Sequence, residues 1–328
     1  MNFLPFIDLH CHLDGAISPE IARQLADIQK ISLPCTSDAE LENLISVPGS
    51  CESLAAFLKC FAFPCSLMQT EKGISEAVRL VQEKMKSEGL EYLELRFAPQ
   101  LHCRNSLSQE AVVKAALDGL CKSSLHTNLI LCCMRGENTH TENMETVRLA
   151  ETYLTEDGGI VALDLAGAEA AFPTADYTAE FSAAHEKHIP FTIHAGEADG
   201  AESIRKAVSF GARRIGHGVR LFEDARLLED IIKWQIPLEM APTSNRLTKA
   251  VRNMKEYPLA EYLAKGVKVT LNTDDPSVCR TTLAGEYAYV RNEFNITDEQ
   301  MIQMQLNAVD AAFTSQKIKA QLKKRFVR

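Results

Sequence analysis

Short apolar runs alternate along the chain with segments of helical period, the pattern left by repeated strand–helix units around a parallel sheet. The apolar runs predict eight strands, at Phe6–His10, Tyr92–Ala98, Leu129–Met134, Val161–Leu165, Phe191–Ala195, Arg214–His217, Leu238–Ala241 and Val267–Asn272. Helices are expected over Ser108–Ser124, Thr141–Leu154, Ala201–Phe210, Glu223–Lys233 and Pro258–Lys265. Eight such units with no glycine-rich phosphate loop favour a closed α/β architecture, a single (β/α)8 TIM barrel, over an open doubly wound sheet.

Two segments exceed the minimal repeat. About 80 residues separate the first two strands, far more than an ordinary loop. Within them Leu54, Phe57, Leu58 and Phe61 fall at i, i+3, i+4 and i+7, one face of a helix. After the eighth unit, Asp298–Phe326 predicts one or two further helices. The expected arrangement is therefore one domain, 1–328, with extra helices over the barrel mouth and at the C-terminus. No internal repeat or Pro/Gly-rich linker divides it.

Composition narrows the function classes. An apolar fraction of 46% is enough for a sizeable core. No apolar run approaches the roughly 20 residues that span a bilayer, and Met1–Phe6 carries no basic leader; the expectation is a cytoplasmic protein without a membrane partner. A formal charge of −9 argues against nucleic acid, whose phosphates require clustered Lys and Arg. The basic run Lys317 to Arg328 reads as a solvated helix end. The ten cysteines include no paired CxxC knuckle and read as reduced, mostly buried small hydrophobes.

Chemistry-bearing residues gather where barrel active sites lie, at the C-terminal ends of strands. In Asp8-Leu9-His10-Cys11-His12-Leu13-Asp14-Gly15, strand alternation puts His10 and His12 on one face. His194 ends the fifth strand and Glu197 follows on its loop, where a carboxyl can shuttle protons beside a metal without ligating it. Gly216 and Gly218 flank His217 on the sixth strand, leaving room for close backbone or ligand approach. The eighth strand ends in Asn272-Thr273-Asp274-Asp275-Pro276, adjacent carboxylates that a cation would reconcile. Each segment alone has a bland reading, such as a core histidine or an Asx turn before proline. Together His10, His12, His194 and Asp274 make an N3O set suited to one zinc ion per chain, with one position open to water.

The segments "DLHCHLDGA", "LEYLELRFAPQLH", "LDLAGAE", "IHAGE", "RIGHG" and "TLNTDDPSV" resemble, in order, the adenosine deaminase family of the amidohydrolase superfamily. That resemblance implies zinc-dependent hydrolytic deamination of a purine nucleoside, adenosine and also 2′-deoxyadenosine, to the inosine product and ammonia. It implies zinc held by His10, His12, His194 and Asp274, with Glu197 protonating purine N1 and His217 orienting the attacking oxygen. Asp275 would bond N7, the Gly167 backbone N–H would face N3, Asp14 would bind a ribose hydroxyl, and His12 would touch substrate as well as metal. The face Leu54, Phe57, Leu58, Phe61 would correspond to the family's lid. The chain departs from the family at Ala168, where relatives often carry Asp, and at Ala241, where many bacterial relatives carry Cys.

Four alternatives are distinguishable. Binuclear amidohydrolases bridge two metals with a modified Lys on the fourth strand, and Val161–Gly167 has none. Adenine deaminases of the family carry Asp before the sixth-strand His, where this chain has Gly216. An AMP deaminase would meet Asp14 near the ribose 5′ end with no compensating Arg/Lys cluster. A catalytically inactive barrel acting as a binding module would not need this intact set of ligands and proton-transfer groups.

Overall fold

The computed structural model describes residues 6–48, 51 and 53–326. The leader expectation drawn from Met1–Phe6 falls outside them except at Phe6, as do the last two residues of the basic C-terminal run. Strand β1 spans Phe6–His12, two residues beyond the sequence expectation. The long insertion folds as α1 (Pro19–Gln29), α2 (Asp38–Ile45), α3 (Leu54–Phe57), a 3-10 turn at Leu58–Phe61, α4 (Ala62–Ser66) and α5 (Glu71–Ser87). The expected single helical face at 54–61 is therefore broken into an α and a 3-10 segment. There follow β2 (Leu90–Phe97), α6 (Gln109–Leu120), β3 (His126–Met134), α7 (His140–Thr152), β4 (Ile160–Ala166) and α8 (Thr178–Glu186). The second half contains β5 (Thr192–Ala195), α9 (Ala201–Phe210), β6 (Arg214–His217), α10 (Ala225–Trp234), β7 (Leu238–Met240), α11 (Pro242–Leu247), α12 (Leu259–Lys265) and β8 (Val269–Leu271). Four helices close the chain: α13 (Pro276–Cys279), α14 (Leu283–Phe294), α15 (Asp298–Ala311) and α16 (Gln316–Lys323).

All strands pair in parallel, β1 through β4 and β5 through β8. Single bridges close the ring, Leu163 to Phe191 between the halves and Cys11 to Asp274 between first and last units. This is the (β/α)8 barrel that the alternation implies. Its strands are buried almost throughout, as parallel strands covered by helices must be. Helix ends are signalled locally: Ser18, Thr70, Ser108, Asp224, Thr282 and Thr297 each accept a first-turn backbone N–H. The C-terminal segment seals the barrel's lower end, where Gln305 Oε1 accepts the Ile7 amide and Glu94 Oε1 accepts the Phe313 amide. Among the described residues no helix is long and apolar enough to cross a membrane, and all ten cysteines are free thiols.

Candidate active site

The site begins with an irregularity in β1 that simple alternation does not foresee. Asp8 pairs with Leu93 and Cys11 with Leu95, so β1 carries one extra residue at Leu9–His10. Bulges of this kind re-aim side chains. The displaced amides are satisfied: Leu9 N–H donates to Asn272 Oδ1 at 3.1 Å and His10 N–H to Asp8 Oδ1 at 3.1 Å. The barrel then closes on the site itself, because His12 N–H donates to Asp274 O (2.8 Å) and Asp274 N–H to His10 O (2.7 Å). Asp274 (φ 61°) and His217 (φ 62°) both occupy the left-handed region without being glycine, strain of the sort that collects at functional sites.

These backbones bring four ligand-capable atoms together. His10 Nε2 lies 3.0 Å from His194 Nε2 and 3.1 Å from Asp274 Oδ1; His12 Nε2 lies 3.2 Å and 3.4 Å from the same two atoms. A tetrahedron with arms of roughly 2.0–2.1 Å has edges of about 3.3–3.4 Å, so this donor set fits a divalent metal. His217 is also close, its ligand atom within 4.8 Å of those of His10, His194 and Asp274. Its ring is engaged elsewhere, however. Asn245 Nδ2 donates to His217 Nδ1 (3.1 Å), with the amide fixed by Tyr257, whose hydroxyl donates to Asn245 Oδ1 (2.9 Å). Nε2 of His217 is then the protonated nitrogen, and it faces Glu197 Oε2 at 3.6 Å.

Behind the cluster stands a layer of buried charge that sequence reasoning did not single out. Glu239 Oε2 contacts His10 Nδ1 at 2.8 Å, and Asp164 Oδ2 lies at ion-pair distance, 2.9 Å, from His194 Nδ1 without hydrogen-bond alignment. Carboxylates so placed orient a ligating imidazole and fix its tautomer. One guanidinium joins them: Arg96 donates to Asp164 Oδ2 (2.8 Å), to Glu239 Oε2 (2.9 Å) and to Leu9 O. Arg214 extends the ladder to Glu239 Oε1 and Glu94 Oε2. Burial opposes ionisation of Asp164 and Glu239, but the neighbouring His194 and Arg96, respectively, lead the attractions that hold each carboxyl well below the usual range.

The cluster opens into a cavity of about 270 Å³. His12, Asp14, Gly167, His194, Glu197, His217, Asp274 and Asp275 all line it, as do Leu54, Phe57, Leu58 and Phe61 of the insertion. Every residue to which the family resemblance gives a role thus borders one space, His10 apart, which is fully buried beneath it. Burial raises the Glu197 carboxyl above its ordinary range, favouring the protonated form. Burial, with Asp274 and Asp14 nearby, pushes Asp275 well up, and its Oδ1 has no protein partner. Asp14 is also raised by burial and accepts the Cys65 thiol at 3.4 Å. At Gly216 a Cβ would lie 3.1 Å from His194 Cα and 3.3 Å from His10 Cε1, the close approach its position suggested.

The match to the adenosine deaminase family model covers residues 5–327. An adenosine deaminase of Haemophilus ducreyi is 44% identical over 322 residues, 96% of this chain and 94% of that protein. Among solved structures, an adenine deaminase from Arthrobacter aurescens superposes with TM-score 0.89 at 25% identity, over 99% of this chain and 98% of the other. The N6-methyl-AMP deaminase from Arabidopsis thaliana superposes with TM-score 0.83 at 27% identity, over 99% and 96%.

Proposed function

The chain belongs to the adenosine deaminase family and hydrolyses adenosine to inosine and ammonia; from that premise we propose how its own residues carry the reaction. One zinc ion is held by His10, His12, His194 and Asp274, a set whose spacing and N3O chemistry suit it. When bound, zinc supplies the Lewis acidity that makes water nucleophilic at neutral pH.

The protein supplies the remaining groups. Glu197, whose carboxyl burial shifts toward the protonated form, delivers its proton to purine N1, so that the charge pushed into the ring by attack at C6 is neutralised where it accumulates. His217 Nε2–H faces the same point and orients the incoming oxygen. Asp275, raised by burial and unpartnered at Oδ1, donates to N7. The Gly167 amide meets N3, Asp14 takes a ribose hydroxyl, and His12 borders the substrate. Leu54, Phe57, Leu58 and Phe61 cover the ring and exclude water. The observation that carries the proposal is the convergence of Glu197 and His217 on one cavity beside the four-atom cluster.

Two features favour the free nucleoside. Among the described residues Arg135 is the one Lys or Arg lining the cavity, and its Nη1 and Nη2 donors go to Phe172 O, Thr174 Oγ1 and His194 O, leaving no fork for a phosphate. Position 216 is Gly, with His194 and His10 close against it, where the family resemblance assigns Asp to adenine deaminases. The protein is read as a soluble cytoplasmic enzyme. The test is the ultraviolet change on incubation with adenosine, 2′-deoxyadenosine, adenine and AMP, before and after chelation. Turnover of adenine alone overturns the nucleoside reading, and activity indifferent to metal removal overturns the zinc.

A further inference from the structure

Glu169 lies in the connection after β4, with its side chain almost entirely enclosed (1% exposed). No step above uses it. Its carboxylate nevertheless gathers five donors. Oε1 accepts Gly196 N–H (2.7 Å) and the Ser203 hydroxyl (2.6 Å); Oε2 accepts Glu197 N–H (3.0 Å), Ala198 N–H (2.7 Å) and Asp199 N–H (3.1 Å). Four successive amides of the β5–α9 turn are thus bound by one ionisable group from a different strand connection. Charge-assisted bonds of this kind are about twice as strong as neutral ones, and an oxygen pair receiving so many donors has little freedom to move.

The rest of the turn is braced to match. Ser203 also bonds Thr174 Oγ1 (2.7 Å), which accepts from Arg135 Nη2 (2.9 Å), and the same Nη2 donates to His194 O (2.6 Å). Beyond the turn, Arg220 N–H donates to Gly196 O at 3.0 Å. Among the described residues the Glu197 side chain, by contrast, has as polar partners only Thr248 Oγ1 (2.9 Å) and, at 3.6 Å, His217. Where the acid sits is therefore decided by its main chain, and its main chain is held by Glu169.

We propose that Glu169, through the four turn amides its carboxylate binds, is the positioning residue for the Glu197 acid and contributes to rate through Glu197 alone. This rests on the reading of Glu197 as the proton donor to N1. A misplacement near 1 Å can cost about a hundredfold in rate, and E169Q replaces one of the two accepting oxygens by a donor that opposes the turn amides. The experiment is a cycle of wild type, E169Q, E197Q and E169Q/E197Q in the metal-loaded full chain, with kcat, KM for adenosine and metal content measured for each. We expect E169Q to lose about a hundredfold in kcat, to shift KM by less than about threefold and to keep its metal, while the double variant is no slower than E197Q. Such non-additivity marks groups that act as a unit. If E169Q does not fold, the cycle is run with E169D, which keeps the charge but withdraws it by one methylene, with the same pattern expected. A near-normal kcat in the folded variant, or a double variant slower than E197Q by the full factor of the single change, overturns the proposal. A near-normal E197Q removes instead the reading beneath it.

Discussion

The Thr248 hydroxyl donates to Oε1 of Glu197 at 2.9 Å, which leaves Oε2 as the oxygen turned toward His217. A carboxyl with one oxygen committed as an acceptor carries its proton on the other. With Glu197 as the proposed acid, Thr248 would select which of its oxygens meets the substrate, a role that spacing along the chain does not advertise.

From this arrangement, E197Q should retain its metal and lose about 10²–10⁴ in kcat, the usual contribution of a positioned general acid. T248V should lose less, on the order of tenfold, because burial still raises the Glu197 carboxyl but its rotamer is no longer selected. Steady-state kinetics with metal analysis on each variant decides both. Turnover by E197Q close to that of the wild type would remove it from the chemistry.

Metal retention should depend on residues that never touch the metal. Arg96 joins the two carboxylates behind His10 and His194, so R96M leaves both without their shared counter-charge. Changes in this outer layer typically cost 10–100-fold in metal affinity, and that loss is expected here. D274A, which removes a ligand, should weaken retention further. Dialysis against graded chelator followed by elemental analysis reads both. Unchanged metal content in D274A would show that the ligand is misassigned.

Most of the site was legible because barrels place chemistry at strand ends, and His10, His12, His194, His217 and Asp274 are marked by that position. What escaped is tertiary. Arg96 and Glu239 are 143 positions apart, Glu197 and Thr248 51 apart, and no local pattern joins them. The β1 bulge escaped because an inserted residue leaves the apolar rhythm of Phe6–His12 nearly intact. Helix α14 escaped for a compositional reason: Gly285 in its first turn and Tyr287, Tyr289 and Phe294 further on dilute the helical period. Leu54, Phe57, Leu58 and Phe61 all reach the cavity although the helix is broken there.

Gly15 is needed for the space it leaves. A Cβ there would sit 1.9 Å from Asp275 Oδ1 and 2.8 Å from Asp275 Cβ, and the Asp275 carboxyl, buried and unpartnered at Oδ1, would have to move from its place at the cavity wall. G15A should therefore resemble D275A, with kcat/KM lowered tenfold or more and metal retained. Full activity in G15A would mean that the Asp275 carboxyl has no fixed position to lose.

Glu286, on α14, is the clearest source of pH-dependent stability outside the metal cluster. Burial raises its carboxyl from 4.5 to about 7, against the lowering effect of bonds from the Thr243 amide (3.1 Å) and the Thr281 hydroxyl (2.6 Å). Its pKa is higher in the folded chain than in the unfolded one, so its contribution is fully present below about 4.5 and is lost as pH rises through about 7. At 1.36 kcal/mol per pH unit, that interval sets a ceiling of about 3 kcal/mol. E286Q removes the titration while keeping an acceptor for the Thr243 amide, and the Thr281 hydroxyl can turn to accept instead. Relative to the wild type, E286Q should therefore gain stability between pH 5 and pH 8, by up to about 3 kcal/mol. Denaturant unfolding of both proteins across that range reads the difference; Asp8, raised by burial to about 6, titrates in both and is a minor part of what raises Glu286, so the difference includes that coupling. A difference that stays flat with pH would show that Glu286 is ionised in the fold throughout, with its two donors outweighing its burial.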